Sequence, residues 1–158
     1  MSSSFDELTS QRGVSAVFSI APITLPSLGR GVDLQVRISA PIAGDRLPVI
    51  IFSHGNGQSF HGYGPLVEYW AAHGFVVIQP THLDSRMIGL SQDDARRPNF
   101  WRFREQDLAA ILDSLDQIEN GSSMIHGRLD LGGPLVTAWD LARASPGERS
   151  SPCGPPAA

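Results

Sequence analysis

The chain has 158 residues, 41% of them apolar and 18% charged, with a formal net charge of −4 at pH 7. That is enough material for one domain with a core of its own, and the acidic balance gives no electrostatic argument for a nucleic-acid partner, so none is expected. All 12 basic residues are arginine, which removes lysine-nucleophile chemistry, and the single cysteine, Cys153, removes an intrachain disulfide or a cysteine zinc site.

The first residues, Met1-Ser-Ser-Ser-Phe-Asp-Glu-Leu8, carry neither a basic start nor an apolar run, and no stretch is long enough to span a bilayer. The expected location is therefore cytoplasmic. Val14 to Leu25 is rich in β-formers and ends at Pro26 and Gly29. Gly31 to Pro41 alternates, with Val32, Leu34, Val36 and Ile38 on one face and Asp33, Gln35, Arg37 and Ser39 on the other. The two segments predict an antiparallel hairpin with one wet face.

The pattern then changes. Val49-Ile-Ile-Phe52 and Phe75-Val-Val-Ile78 are continuous apolar runs, the signature of parallel strands covered on both faces. Between them Leu66, Val67, Trp70 and Ala71 recur at helical spacing, and His73-Gly74 supplies a stop. The unit Val49 to Ile78 reads as βαβ. A polar loop, Thr81 to Asn99, leads to a second helix from about Phe100 to Asn120. Leu108, Ile111, Leu112, Leu115 and Ile118 form its apolar stripe, and Arg104, Glu105, Asp107, Asp113, Asp116 and Glu119 its polar face.

A further buried strand is expected next. From Leu131 onward, however, Gly, Pro and small residues dominate, and the only strand-like piece is Pro134-Leu-Val-Thr137, with a short turn of helix expected near Trp139 to Ala144. The expected organisation is one folded unit over residues 1–130 and a disordered tail over 131–158. Cys153, in that tail, reads as an incidental exposed thiol.

Residues from about Leu47 to Asp130 resemble the α/β-hydrolase superfamily, and within it the platelet-activating-factor acetylhydrolase, chlorophyllase and dienelactone-hydrolase-like branch. The resemblance is carried by Phe52-Ser-His-Gly-Asn-Gly57, Tyr63-Gly-Pro-Leu, Trp70-Ala-Ala-His-Gly-Phe-Val-Val77 and His82-Leu-Asp-Ser85. It continues through Arg102-Phe-Arg-Glu-Gln-Asp107, Ile111-Leu-Asp-Ser-Leu115 and Gly127-Arg-Leu-Asp130, in that order. It implies an incomplete α/β-hydrolase fold, with an N-terminal antiparallel hairpin followed by a parallel βαβα. The implied activity is serine-dependent hydrolysis of carboxylic esters, of lipase or esterase type, on small ester substrates. No cofactor is implied.

In that family the segment resembling Gly127-Arg-Leu-Asp130 leads into the strand that carries the Gly-x-Ser-x-Gly nucleophile elbow. No such motif follows here. Gly57-Gln-Ser-Phe-His61 lacks the second glycine and follows the wrong strand, so Ser59 is not expected to be a nucleophile. No histidine follows His126, so neither the acid nor the base of a Ser, Asp/Glu, His order is found. The chain is read as the N-terminal part of such a hydrolase, truncated before the elbow and inactive as given. The alternative is a pseudo-hydrolase that binds a ligand or partner.

What remains is one half of an active site. A tetrahedral intermediate needs preorganised N–H donors, each worth about 3 kcal/mol, and the resemblance assigns one to the backbone of Asn56, with Gly57 beside it. His54 and Gly55 start the turn, and His82 and Asp84 follow the second parallel strand, where open α/β sheets place ligands. These four are the candidate substrate-binding residues. They lack the ligand spacing of a metal site, and none is expected. His61 and His73 read as surface or capping residues, and Arg102 with Asp107 as a helix-surface or loop-anchoring pair. The superfamily's strand order would leave Val49 to Ser53 at an unpaired edge if the next strand is lost, and an apolar edge invites self-association.

Overall fold

The computed structural model describes residues 14–27, 29–133 and 136–139. The hairpin forms as expected. Strand β1 (Val17–Leu25) pairs antiparallel with β2 (Leu34–Pro41), in a register that sets Ile20 opposite Ile38 and Leu25 opposite Leu34. Leu34, Val36 and Ile38 are fully buried, as their alternation demands. The opposite face is less wet than predicted, because Ser39 is also buried and shares a 2.7 Å hydrogen bond with Ser19.

Strand β3 (Val49–Ser53), helix α1 (Gly64–Ala72) and strand β4 (Val76–Thr81) make the βαβ unit. β3 and β4 are parallel, with Ile50 opposite Val77, and β4 runs antiparallel to β2. The unbroken apolar runs are explained by two cores. Val49, Ile51, Val76 and Ile78 point to one face, where they meet Leu108, Ile111, Ile118, Ile125 and Leu129. Ile50, Phe52, Phe75 and Val77 point to the other, against Val67 of α1 with Tyr63 and Trp70. Period-two side chains with apolar partners on both sides require continuous hydrophobicity.

The predicted second helix is two. Helix α2 (Phe100–Asp113) stops at Ser114, and α3 (Leu115–Asn120) follows. Leu108, Ile111 and Ile118 are buried, while Leu112, predicted to be in the core, is 39% exposed: it lies one position round the helix from Ile111, at the edge of the buried face. Asp107, assigned to the polar face, is 1% exposed. It lies four residues before Ile111 and so shares its face.

The sheet has five strands in the order β1-β2-β4-β3-β5, where β5 is Val136–Trp139. This corrects two expectations. β5 pairs parallel with β3 from Ile50↔Val136 to Ser53↔Trp139, so Val49–Ser53 is not an open edge. It also shows that the strand-like piece lies two residues later than Pro134–Thr137, with Trp139 in a strand and not in a turn of helix. The segment before it is guided into place, because Leu47 N–H donates to Arg128 O and Asp130 N–H to Leu47 O, each at 2.8 Å. The remainder of the expected helical turn, the expected disordered stretch from 140 onward and Cys153 lie outside the described residues. Among the described residues no helix is long and apolar enough to cross a membrane.

Candidate functional site

The carboxyl ends of β3 and β4 lie side by side, which brings Ser53 and the His54-Gly-Asn-Gly57 turn next to His82, Leu83 and Asp84. Gly57 has φ 76°, in the left-handed region, and a Cβ placed on it would lie 3.3 Å from Arg86 Nε. Arg86 N–H also donates to Gly57 O at 3.2 Å. The left-handed backbone favours glycine here, and a Cβ would also press on the Arg86 side chain. Gly57→Ala should destabilise the fold by about 1–2 kcal/mol from the left-handed backbone alone, read as a lower urea midpoint at unchanged m.

Beneath the turn lies a buried polar network. His82 Nδ1 is 2.8 Å from Asp107 Oδ2, and its Nε2 is 2.8 Å from Ser53 Oγ. Since a carboxylate only accepts, His82 carries its proton on Nδ1, and the Ser53 hydroxyl donates to Nε2. His54 Nδ1–H donates to Gly55 O at 2.7 Å, which leaves Nε2 free to accept the backbone N–H of His82 at 3.0 Å. Both rings are neutral. Burial pushes the His82 pKa well below its ordinary 6.5, helped by Arg104 and His54. Burial also lowers that of His54, against the raising hydrogen bond to Gly55 and with the help of Arg104.

Two arginines close the network. Arg30, from the β1–β2 connection, approaches Asp107 Oδ1 with Nε at 2.9 Å and donates to the Thr81, Val32 and Asp33 carbonyls. Burial raises the Asp107 carboxyl to about 6 despite Arg30, so it is still ionised at pH 7. Arg104 of α2 donates to His54 O at 2.6 Å and Ser53 Oγ at 3.1 Å, and pairs with Asp84 at 2.6 Å. The expected Arg102 and Asp107 pair is not formed. Arg102 instead lies over the Trp101 ring at 5.0 Å, one position away and on the outer face.

Ser53, His82 and Asp107 have the hydrogen-bond order of a hydrolytic triad, Ser to His to Asp. The geometry does not make them one. Ser53 and His82 are 1% and 0% exposed, so no substrate carbonyl can reach the Ser53 oxygen, which also accepts a hydrogen bond from Arg104. The cavity at this end of the sheet, about 360 Å³, is lined by Asn56, Leu83, Asp84, Arg86 and Gln92 among others, and by none of those three.

The four candidate substrate-binding residues therefore divide, Gly55 serving the turn through its carbonyl, which accepts from His54 Nδ1–H and Gln58 N–H. Asp84 faces the cavity beside Asn56, whereas His54 and His82 are buried beneath the turn with every ring nitrogen engaged. Ser59 sits in the loop before α1, where its Oγ accepts from His61 N–H. His73 caps α1 through Nδ1 to Tyr69 O at 2.7 Å. Among the described residues no group of three or more His, Cys, Asp or Glu side chains is placed to hold a metal ion.

Sequence reasoning missed Ser53, Arg30 and Arg104. A signal existed for one: Arg104 and Asp107 stand one helical turn apart, i to i+3, on the face that also carries Ile111. Nothing local marks Arg30, which is 77 positions from its carboxylate partner.

Sheet order, paired cores and the glycine turn at the end of β3 define an α/β-hydrolase-like N-terminal part. The match to a family model and the fold of one solved structure agree. Residues 25–99, just under half of the chain, match the family described as platelet-activating factor acetylhydrolase, isoform II. A bacterial heroin esterase is similar in structure at TM-score 0.53 and 16% identity, with 87% of this chain covering 40% of that one. An esterase from Pyrobaculum calidifontis is similar at TM-score 0.39 and 20% identity, covering 89% of this chain and 40% of that one. A protein designated a dienelactone hydrolase from Klebsiella pneumoniae gives TM-score 0.48 and 16% identity, over 79% and 50%. The chain thus spans 40% of the length of the esterases it matches. No curated protein sequence matches it.

Proposed function

We propose that the chain derives from carboxylic-ester hydrolases of lipase or esterase type and holds the oxyanion half of such a site, with no competent nucleophile. The observation that carries this reading is the His54-Gly-Asn-Gly57 turn at the carboxyl end of β3, with Asn56 lining a cavity of about 360 Å³. Backbone N–H groups of Asn56 and Gly57 are the donors that would meet a developing oxyanion. Asp84 shares the cavity, and His54, Gly55 and His82 shape the turn from below.

Acyl transfer also needs an exposed, activated serine, and the 158 residues contain no Gly-x-Ser-x-Gly. The strand that would present it, β5, runs from Val136 to Trp139 and is followed in sequence by Asp140-Leu-Ala-Arg-Ala. The purified chain should therefore hydrolyse p-nitrophenyl acetate no faster than buffer, and should take no fluorophosphonate label. Hydrolysis abolished by Ser59→Ala, or labelling of Ser53, would sink the reading.

A non-catalytic role as a binding module is the second reading. It is favoured by the same cavity, which is formed within the described residues without any nucleophile.

A further inference from the structure

The buried pair His54 and His82 does something the ester reading does not require. His54 joins two chain segments through its ring. Nδ1–H holds the carbonyl of Gly55, in the glycine turn, and Nε2 holds the backbone N–H of His82, at the end of β4. The turn is otherwise tied by few bonds: Gln58 N–H to Gly55 O at 3.1 Å, Arg86 N–H to Gly57 O at 3.2 Å, and Arg104 to His54 O. We propose that the His54-Gly-Asn-Gly57 turn is an acid-released latch, in which a proton on His54 Nε2 opens the turn while the sheet stays folded.

The chemistry is one of donors meeting donors. Nε2 can accept the His82 N–H only while it is unprotonated, and an imidazolium has two N–H donors and no acceptor. Protonation would set two N–H groups against each other at 3.0 Å inside a buried site, so the bond must break and one segment must move. His82 is not equivalent. A proton on its Nε2 would meet a hydroxyl, and the Ser53 hydroxyl can turn to accept while Asp107 stays on Nδ1. The release thus lies with His54.

The charges around His54 come from every element against it. Arg104 of α2, on the His54 carbonyl and Ser53, opposes a proton on the ring. Asp84, after β4, and Asp107 of α2 favour one. Arg86 lies against Gly57, and Arg30 holds Asp107 from the far side. Burial is the largest influence and keeps the ring neutral at pH 7. The sheet beneath has its own supports, since β3 is bonded on both sides by β4 and β5, and none of those bonds passes through His54. This inference rests on the hydrogen bonds alone and stands or falls apart from the esterase reading.

The test follows amide hydrogen exchange and histidine ring resonances of the intact chain from pH 8 to pH 5. The His82 amide donates to Nε2 itself, and the Gln58 and Arg86 amides report the turn. All three should lose protection together, about tenfold for each pH unit below about 6.5, where a histidine freed from the turn takes its proton, as expected for one linked proton. The Ile51 and Val77 amides in the sheet should keep theirs. In His54→Gln the side-chain oxygen can still accept the His82 N–H, so the turn should stay protected and the pH dependence should vanish. Three results would overturn the latch: protection of His82 that is flat while His54 titrates, loss of sheet and turn protection at one pH, or a His54 ring that stays neutral until the sheet unfolds. None of the three needs a variant, so a poorly folding His54→Gln does not decide the matter.

Discussion

Replacing Asp107 by leucine should lower the free energy of unfolding by about 3–5 kcal/mol, read as a fall in the urea midpoint. The carboxylate is 1% exposed and takes the Arg30 guanidinium at 2.9 Å and the His82 Nδ1–H at 2.8 Å. Leucine fills a similar volume and removes both acceptors. Arg30, itself 2% exposed, would keep only the carbonyls of Val32, Asp33 and Thr81 against a charge that stays in place. The intact pair is not for that reason a large source of stability. Burial outweighs Arg30 and pushes the Asp107 carboxyl up to about 6, so desolvation consumes much of the Coulombic gain. The double variant Arg30→Met with Asp107→Leu should therefore recover the part of the loss due to the unpaired Arg30 charge, while leaving His82 N–H and the Val32, Asp33 and Thr81 carbonyls without these partners, at about 1–3 kcal/mol for each one that stays buried and unsatisfied. A loss below about 1 kcal/mol in Asp107→Leu would mean that Asp107 is not the anchor of Arg30.

This network shows where the sequence stops being legible. Val49-Ile-Ile-Phe52 and Phe75-Val-Val-Ile78 declare themselves as two-faced strands, because burial on both sides is written in consecutive residues. The hairpin is equally plain in the alternation of Leu34, Val36 and Ile38. The glycine turn is visible because its backbone demands are met by residue type at adjacent positions. The break at Ser114 is not visible, since the apolar spacing Ile111, Leu115, Ile118 runs through it unchanged. β5 is weak as a local signal, four residues among glycine and proline, and is set in place by the Leu47 bonds to Arg128 and Asp130. The buried polar cluster is the least legible. Ser53, His82, Asp107 and Arg30 lie on four separate segments, and a lone serine or arginine carries no mark of the partner it will meet.

The second large effect is on stability against pH, and it follows from the same side chains. Both His54 and His82 are buried neutral, so their folded pKa values lie below the ordinary 6.5. The unfolded chain takes up two protons there that the folded chain refuses. Their contribution is complete above pH 6.5 and is lost as the pH falls through that value, at a slope of up to two protons, about 3 kcal/mol per pH unit. Asp107 works in the opposite sense. Its carboxyl is raised from 3.8 to about 6 in the folded chain, so its contribution is complete below 3.8 and is lost as the pH rises through about 6. Because 6 and 6.5 lie only half a unit apart, the folded chain gains its one proton over nearly the range in which the unfolded chain gains two, and the net slope levels off at one proton, about 1 kcal/mol per pH unit. Urea unfolding at half-unit intervals from pH 8 to pH 5 should thus give a plateau above about pH 7 and then a single fall of about one proton, about 1 kcal/mol per pH unit, while His82→Gln should remove one proton and leave the fall nearly flat. A curve flat from pH 7 to pH 5 would contradict neutral burial of the two rings. The latch opens fully only below the pH at which the loss of global stability begins. Global stability falls when the unfolded chain protonates near 6.5, and turn opening is promoted over the same range, but the open turn becomes the major form only at the lower pH where half of the His54 rings in the folded chain carry a proton.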